Sequence, residues 1–287
     1  MHNEFSNAQR AEVLTQALPY IKRYTGKIVV VKYGGNAMID EELKQQVMQD
    51  IVLLSLIGVK VVLVHGGGPE INALTKALGK QPEFIDGLRV TDKEQIDIVQ
   101  MVLAGKVNKT LVNMLQMNGG TAMGISGMDG RLIQAKCKDE RLGYVGEVTR
   151  IRTRPIYDLL EKGYIPVIST IGCDTDGNAY NINGDTAAAY IAGALNAERM
   201  ILMTDIAGIL RDKDDPSTLM TNLSVEDCKR LQDEGIVSGG MIPKVKCCIT
   251  AIEQGVKNVV IMDGRVPHSI LMELLTDEGA GTMIKGE

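Results

Sequence analysis

The chain has 287 residues, of which 45% are hydrophobic, 23% are charged and 31 are glycines, a composition typical of a soluble α/β protein. Its net charge of −5 includes no basic stripe, which argues against a nucleic-acid partner, and no apolar stretch is long enough to span a membrane. There is no signal-peptide pattern, and five cysteines without CxxC spacing indicate buried free thiols in a reducing cytoplasm. Three histidines are too few for a histidine-based metal site, so we expect no metal-binding residues.

The first 25 residues predict an amphipathic helix ahead of the first core strand. Ser6 and Gln9 fit a capping box at its start. The apolar stripe that follows consists of Val13, Leu14, Ala17, Leu18 and Ile21. Pro19 lies within the stripe and is expected to kink the helix. The pattern fits docking on its own domain and packing on a neighbouring subunit equally well.

From there to the carboxyl end, short apolar runs alternate with segments of helical length. The runs predicted as strands are 27–33, 60–66, 121–126, 164–170, 199–204 and 257–263. The segments predicted as helices are 40–57, 69–79, 92–118, 153–162, 184–196 and 241–254. Because continuous apolar runs are typical of parallel strands covered on both faces, we expect a three-layer α/β/α sandwich on a mainly parallel sheet. Residues 131–150 are predicted as a hairpin, and the lack of a linker predicts that two lobes share one sheet.

The first two predicted strands end in glycine-rich loops. Lys32 ends the first strand and is followed by Gly34 and Gly35, and the second strand runs through His65 into three glycines and Pro69. Such loops expose backbone amides, and the helix after Pro69 adds the positive end of its dipole, so this edge of the sheet is expected to bind an anion. For Lys32 alone, a solvated strand end is an equally good interpretation. Packing at the strand end is favoured for His65 over a role as a base.

Two later segments add polar side chains. Asn181, Asn183 and Asp185 alternate before an alanine-rich helix, and in an extended segment alternate residues share a face. Helix capping by Asn183 or Asp185 would explain one of these residues but not all three. Lys244 falls in or near the first turn of a helix, where a cation opposes the helix dipole unless an anion lies in front of both. A solvated surface lysine is the alternative.

Two lysines, two glycine-rich amide clusters and one carboxylate together predict phosphoryl transfer, in which a protein mainly positions the reactants and neutralises charge. Neither a Walker loop nor a GxGxxG signature is present. Asp185 is expected to hold Lys32 and Lys244 in place, and Mg²⁺ would be carried by the nucleotide phosphates. Thr204 and Asp205 follow another strand at the same edge and are candidates for contact with the nucleotide.

These motifs, in this order, resemble the amino-acid kinase superfamily and, more narrowly, its acetylglutamate kinase family. The matching segments are VVKYGGNAM, VLVHGGGPEIN, GLRVTD, YNINGDTAA and SGGMIPKV, within a match over residues 20–287. The resemblance implies that the γ-phosphoryl of MgATP moves to the γ-carboxylate of N-acetyl-L-glutamate in arginine biosynthesis. It also implies an N-terminal lobe, residues 26–180, that binds the acyl amino acid, and a C-terminal lobe, residues 181–287, that binds ATP.

The resemblance also implies a role for each matching residue. Lys32 and Lys244 would stabilise the transition state, with Asp185 orienting them. The residues implied to bind the acyl amino acid are Gly67, Gly68, Arg89, Asn181 and Asn183, with Arg89 on the α-carboxylate and the two glycines on the side-chain carboxylate. The residues implied to bind the nucleotide are Gly34, Gly35, Thr204, Asp205 and Lys244.

Relatives that arginine inhibits carry a kinked N-terminal extension that joins dimers into a hexameric ring. The chain resembles them in its first 25 residues and in residues 268–284, a stretch associated with the arginine site. The resemblance therefore implies a hexamer, a trimer of dimers, that L-arginine inhibits. The residues implied to contact arginine are Tyr20, His268, Glu278 and Gly279. A nitrogen-status signalling protein docks on the ring of some relatives, and the sequence leaves open whether one docks here.

Three other functions share part of this pattern. A kinase for the longer acetylaminoadipate would share these motifs, since one methylene changes binding by only about 1–3 kcal/mol. A non-catalytic arginine sensor would share the fold, but it would not need to retain Lys32, Lys244 and Asp185. A nucleotide-binding oxidoreductase is disfavoured because the GxGxxG signature is absent.

Overall fold

The structure, a computed structural model, describes residues 6–38 and 40–286. The α-helices are α1 (Asn7–Gln16), α2 (Leu18–Tyr24), α3 (Glu41–Leu56), α4 (Gly68–Ala77), α5 (Lys93–Gln100), α6 (Asn108–Met117), α7 (Arg154–Glu161), α8 (Gly184–Ala194), α9 (Val225–Asp233), α10 (Met241–Glu253) and α11 (Ser269–Leu275). A π-helix, Met101–Val107, joins α5 to α6. Short 3-10 turns lie at Gly35–Met38, Asp129–Arg131, Glu140–Leu142 and Pro216–Thr218.

The strands are β1 (Ile28–Tyr33), β2 (Lys60–His65), β3 (Phe84–Ile85), β4 (Leu88–Arg89), β5 (Ala122–Ser126), β6 (Ile133–Cys137), β7 (Gly146–Ile151), β8 (Ile165–Ser169), β9 (Ile171–Cys173), β10 (Ala179–Asn181), β11 (Arg199–Thr204), β12 (Asn222–Ser224), β13 (Asn258–Asp263) and β14 (Gly281–Lys285). In the described part of the chain, eight of them form one sheet in the order β12-β14-β13-β11-β1-β2-β8-β5. All neighbours in it are parallel except β13 and β14. The predicted mainly parallel sheet, common to both halves of the chain, is confirmed.

Alternate residues of the central strands enter two different cores. Val29 and Val31 of β1 belong to the core that α3, α6 and α11 cover, whereas Val30 belongs to the core under α8 and α10. This alternation explains why the strands are continuously apolar, and it confirms the three-layer sandwich. By the same alternation the side chain of Lys32 lies on the face covered by α8, and Tyr33 packs into the opposite core.

The predicted strands agree with the structure to within one residue at each end, and the predicted helices to within two. The predicted hairpin is also confirmed, because β6 and β7 pair antiparallel. Residues 92–118 were expected to be one helix, but the π-helix divides them. The elements that the apolar pattern did not predict are α9, α11, β12, β14 and the short pairs β3–β4 and β9–β10. Of α9, for example, only Cys228 and Leu231 are buried, too little for a clear apolar period.

The N-terminal helix is broken where proline predicts it. Ser6 and Gln9 form the capping box, α1 ends at Gln16, and Pro19 lies in the first turn of α2. No residue of α1 is buried, and Leu14 is 73% exposed. The stripe on α1 therefore does not dock on its own domain, whereas α2 packs against α11. No described helix has both the length and the apolar character needed to cross a membrane.

All five cysteines are free, as predicted, but they are not all buried. Cys173, Cys228 and Cys248 are buried and Cys247 is half-buried. Cys137 is exposed because it lies at the hairpin end of β6, where the strand is no longer covered.

An ion pair is buried where β11, α11 and α2 meet. Nη1 of Arg199 lies 2.5 Å from Oε1 of Glu273, and the two side chains are 3% and 2% exposed. Oε2 of Glu273 accepts a hydrogen bond from the backbone N–H of Ala280, 2.9 Å away. The Arg199 guanidinium also lies over the ring of Tyr24, 5.5 Å from its centroid. The pair thus joins the N-terminal helix, the sheet and the carboxyl end of the chain.

We predict that Glu273→Ala lowers the free energy of unfolding by about 3–5 kcal/mol, because it leaves the Arg199 charge buried without its partner. Urea unfolding followed by circular dichroism measures the change. Asp158→Ala is the control, since it removes an exposed ion pair with Arg154 that solvent screens, and it should hardly move the midpoint. Equal losses in the two variants would contradict the prediction.

Candidate active site

Polar residues gather along one edge of the sheet, where the parallel strands end. Lys32 lies one residue before the end of β1, and the last residues of β2, β8, β11 and β13 are His65, Ser169, Thr204 and Asp263. Because these strands are parallel neighbours, their carboxyl ends meet at the same edge. Ligands of open α/β sheets bind at this edge.

Asp185 lies between the two predicted lysines. Its Oδ1 is 2.8 Å from Nζ of Lys32, and its Oδ2 accepts a hydrogen bond from Nζ of Lys244 at 3.2 Å. Asp185 lies in the first turn of α8, and α10, which carries Lys244, packs against α8. A Cβ on Gly184 would lie 3.3 Å from Cε of Lys32, so this glycine leaves room for the lysine. The structure therefore brings together two cations that are more than 200 residues apart in the chain.

The charges of this cluster do not cancel. Burial acts to raise the pKa of the Asp185 carboxyl, but the ammonium groups of Lys32 and Lys244 outweigh burial and hold that pKa at about 2. The carboxylate is therefore charged at neutral pH. Two ammonium groups against one carboxylate leave a net positive charge in a cluster whose side chains are 11%, 13% and 23% exposed. Such a site is complementary to an anion.

The glycine loop after β2 approaches the π-helix closely. A Cβ on Gly67 would lie 2.7 Å from Cδ2 of Leu103 and 3.1 Å from Cγ2 of Val107, so a larger residue would displace the loop. A Cβ on Gly68 would have no atom within 4 Å, which leaves open space in front of α4. Packing within the protein explains why residue 67 is a glycine, but it does not explain the glycine at position 68.

Arg89 lies beside that open space. Its Nη2 donates to Oδ1 of Asn72 at 2.5 Å and to the carbonyl of Gly68 at 3.4 Å. Its guanidinium also lies over the ring of Phe84, 4.8 Å from the centroid. Burial lowers the pKa of Arg89. Nη1 of Arg89 is buried and has no hydrogen-bond partner among the described residues, as expected for a donor reserved for a ligand.

Asn181 and Asn183 have different surroundings. Nδ2 of Asn181 donates to Oγ1 of Thr91 at 3.3 Å, and that hydroxyl donates to the carbonyl of Arg89, which brings Asn181 near the arginine. Oδ1 of Asn183 instead accepts from the backbone N–H of Thr186 and caps α8. The expectation that Asn181, Asn183 and Asp185 share one face of an extended segment is therefore wrong, because β10 ends at the first and α8 begins before the last.

The predicted nucleotide residues follow β1 and β11. Gly35 begins a 3-10 turn with φ +69°, a backbone conformation that favours glycine. Thr204 is buried, and its hydroxyl donates to the carbonyls of Ile206 and Met262. That hydroxyl is thus engaged within the protein. Asp205 is exposed at the same edge of the sheet.

His65 is packed at the strand end, as predicted. It is fully buried, and burial lowers its pKa to about 4, so the ring is neutral at pH 7. Two further polar residues near this edge of the sheet were missed in the sequence. Asn72 lies one turn of α4 after Gly68, a spacing from which its contact with the loop could have been predicted. Arg265 follows β13 and donates two hydrogen bonds to Asp263, of 2.9 and 2.8 Å.

The four residues implied to contact arginine lie around α11. Tyr20 of α2 lies close to Asp277, whose carboxylate raises the pKa of the phenol. His268 precedes α11 with φ +54°, and its Nδ1 is 2.6 Å from Oδ1 of the buried Asp50. Glu278 is exposed, and Gly279, at φ +69°, is followed by the residue that binds Glu273.

Known proteins resemble this chain over nearly its whole length. Residues 27–263 match the model of the amino acid kinase family. Acetylglutamate kinase of Thermosynechococcus vestitus is 53% identical over 282 residues, covering 98% of this chain and 96% of that protein. Acetylglutamate kinase of Clostridium beijerinckii is also 53% identical, with coverages of 97% and 99%.

A solved structure with the same fold is that of N-acetylglutamate synthase from Neisseria gonorrhoeae complexed with coenzyme A and N-acetyl-glutamate. It is 27% identical with a TM-score of 0.85 and covers 96% of this chain, which spans only 63% of the synthase. The synthase has also been solved with coenzyme A and L-arginine, with a TM-score of 0.80 and 26% identity. The match of family model and relatives over almost the full length shows that the chain belongs to the amino acid kinase family and, within it, to the acetylglutamate kinases, phosphotransferases whose acceptor is a carboxyl group.

Proposed function

We propose that the cluster of Lys32, Asp185 and Lys244 is where the γ-phosphoryl of MgATP passes to the γ-carboxylate of N-acetyl-L-glutamate, in arginine biosynthesis. The convergence of two lysines on one buried carboxylate at the carboxyl edge of the sheet is the observation that carries the proposal. The relatives named acetylglutamate kinase support this choice of substrates.

The two lysines stabilise the charge that spreads over the oxygens of the phosphoryl group during transfer. Asp185 holds both ammonium groups, one with each carboxylate oxygen, and it remains charged because its pKa is about 2. The acceptor carboxylate is already deprotonated at neutral pH, so the reaction needs no general base. This requirement is consistent with a neutral, buried His65.

The acyl amino acid binds in the N-terminal lobe, residues 26–180. The free Nη1 of Arg89 receives its α-carboxylate, while the amides of Gly67 and Gly68 at the start of α4 receive the carboxylate that is phosphorylated. Asn181 completes this side of the site through Thr91. Asn183 lies at the edge of the acceptor site, at the start of α8. The hydrogen bond by which it caps this helix fixes the position of its side chain.

The nucleotide binds in the C-terminal lobe, residues 181–287, against Lys244, and it also contacts Gly34 and Gly35 of the N-terminal lobe. Asp205, exposed at the edge, and the backbone around Thr204 face the nucleotide, since the threonine hydroxyl is engaged within the protein. Mg²⁺ enters as part of the nucleotide substrate, bound through its phosphates.

Release of ADP with N-acetyl-L-glutamate as acceptor tests the proposed function. We expect turnover with this acid to exceed that with acetylaminoadipate under the same conditions, and a reversed preference would assign the longer substrate. If neither acid supports turnover while calorimetry detects arginine binding, the chain is a sensor and the proposal fails.

We predict that Lys244→Ala lowers turnover at least a hundredfold with smaller changes in substrate affinity, because its charge is needed mainly in the transition state. Steady-state kinetics with both substrates measure the effect. Lys246→Ala is the matched control, since Lys246 is an exposed lysine on the same helix and should retain full activity. Similar losses in the two variants would show that a general charge effect is responsible.

We predict that Arg89→Ala chiefly raises the KM for N-acetyl-L-glutamate, because it removes the donor with the free Nη1. Arg89→Lys keeps the charge but loses the planar fork, so it should fall between the wild type and the alanine variant. The KM for ATP serves as the internal control. If Arg89→Ala lowered turnover without changing the KM of the acid, our roles for Arg89 and Lys244 would be exchanged.

We also propose that the chain forms a hexamer, a trimer of dimers joined by α1, and that L-arginine inhibits it. The uncovered stripe on α1 and at the start of α2, with Val13, Leu14 and Leu18 exposed by 60%, 73% and 59%, supports packing on a neighbouring subunit. The arginine complex of the related synthase supports an arginine site, and here Tyr20 of α2 already contacts the segment after α11. His268, Glu278 and Gly279 would complete that site.

Deletion of residues 1–24 should leave a dimer with ordinary activity that arginine no longer inhibits. Sedimentation velocity and ADP release with added L-arginine measure the two effects. Leu14→Glu should act like the deletion because it buries a charge in the contact, whereas Ala8→Glu on the opposite face should remain hexameric. A hexamer after the deletion would disprove the role of α1.

A further inference from the structure

A chain of hydrogen bonds connects α6 to the glycine loop through His65. Nδ1 of His65 lies 2.9 Å from the carbonyl oxygen of Gly66, and its Nε2 lies 3.0 Å from Nδ2 of Asn108. Oδ1 of Asn108 accepts from Nζ of Lys109 at 2.9 Å, and Nδ2 also donates to the carbonyl of Val167 at 2.9 Å. The side chains of His65 and Asn108 are buried.

The donor or acceptor character of each partner fixes the position of every proton in this series of hydrogen bonds. The carbonyl of Gly66 can only accept, so Nδ1 of His65 must carry the proton. The ammonium of Lys109 can only donate, so Oδ1 of Asn108 faces it and Nδ2 faces the histidine. Nε2 of the neutral ring is therefore the acceptor, and one tautomer of His65 satisfies all of these contacts.

The bond to Gly66 determines where the next amide points. In a trans peptide the C=O and the following N–H point in opposite directions, and the structure has no cis peptide among its described residues. Since His65 holds the carbonyl of Gly66, the N–H of Gly67 is directed away from the histidine. Among the described residues, that N–H has no backbone acceptor.

A second contact holds the same peptide from the other side. Leu103 and Val107 of the π-helix touch the position where Gly67 would carry a Cβ, and Asn108 is the next residue in the chain. The loop is thus fixed by a hydrogen bond at Gly66 and by close packing at Gly67. Both constraints come from buried residues, His65, Leu103 and Val107.

We propose that His65, in its Nδ1-protonated tautomer set by Asn108, is a positioning residue that aims the Gly67 N–H at the acceptor carboxylate. The inference rests on the proposed function, because it assumes that this carboxylate binds at the glycine loop. Such preorganised donors matter most where charge is displaced during the reaction. The role requires a neutral histidine, in contrast to a general base.

The tautomer is measured directly by ¹⁵N NMR of protein labelled at its three histidines, with the His65 signals identified by their loss in His65→Asn. We expect the proton on Nδ1, with no titration between pH 8 and pH 5, because the pKa of about 4 lies below this range. A proton on Nε2, or titration near pH 6.5, would overturn the inference. This measurement needs no substrate, so it stands apart from the proposed function.

Two variants separate positioning from mere packing. His65→Asn places an amide where Nδ1 was and can still donate to Gly66, whereas His65→Gln keeps an acceptor for Asn108 but loses that donor. We expect His65→Gln to raise the KM for N-acetyl-L-glutamate about tenfold, with the KM for ATP changed less than about twofold. His65→Asn should be within about threefold of the wild type for both substrates.

Equal effects of the two variants on both substrates, or an unchanged KM in His65→Gln, would overturn the inference. The failure of the proposed function has a different signature, because the wild type itself would then release no ADP with N-acetyl-L-glutamate. Thermal unfolding of each variant checks that the comparison is made on folded protein.

Discussion

The structure depends on one electrostatic constraint, the burial of two ammonium groups against a single carboxylate. An uncompensated charge is costly to remove from water, so the Lys32–Asp185–Lys244 cluster is most stable when an anion joins it. The fold meets this constraint with regular elements. The strand alternation turns Lys32 toward α8, and the packing of α10 on α8 delivers Lys244.

The sequence predicted the central layers well for a physical reason. A strand buried on both faces must be apolar throughout, so β1, β2, β8, β11 and β13 are visible in the sequence alone. Where few residues are buried, as in α9, or where buried residues are not apolar, as with Gly281 and Thr282 of β14, this signal is lost, and those elements were missed. The π-helix was also missed, because its residues have the same apolar character as those of an α-helix.

The candidate site was predicted less evenly. Lys32, Lys244 and the glycine loops each break a local rule, so they could be found residue by residue. Asp185, the partner of both lysines, was predicted too, but the residues that hold the glycine loop were not, because a hydrogen bond such as that between Asn108 and His65, 43 positions apart, leaves no local trace. The point at which α8 begins was also hard to predict, because it is set by one residue. Asn183 caps the helix, so Asp185 lies in the helix and not in a strand.

The π-helix also acts as a rotational spacer. Its hydrogen bonds run from i to i+5, so its turns are wider than those of an α-helix. The residues after it are therefore rotated about the helix axis relative to their positions in a continuous α-helix. With α5 anchored upstream, these seven residues decide which side of α6 carries Asn108. An insertion or deletion there would turn the Asn108 amide away from His65, and Leu103 and Val107 must also keep their contact with Gly67, so the segment is constrained both in length and at these two positions.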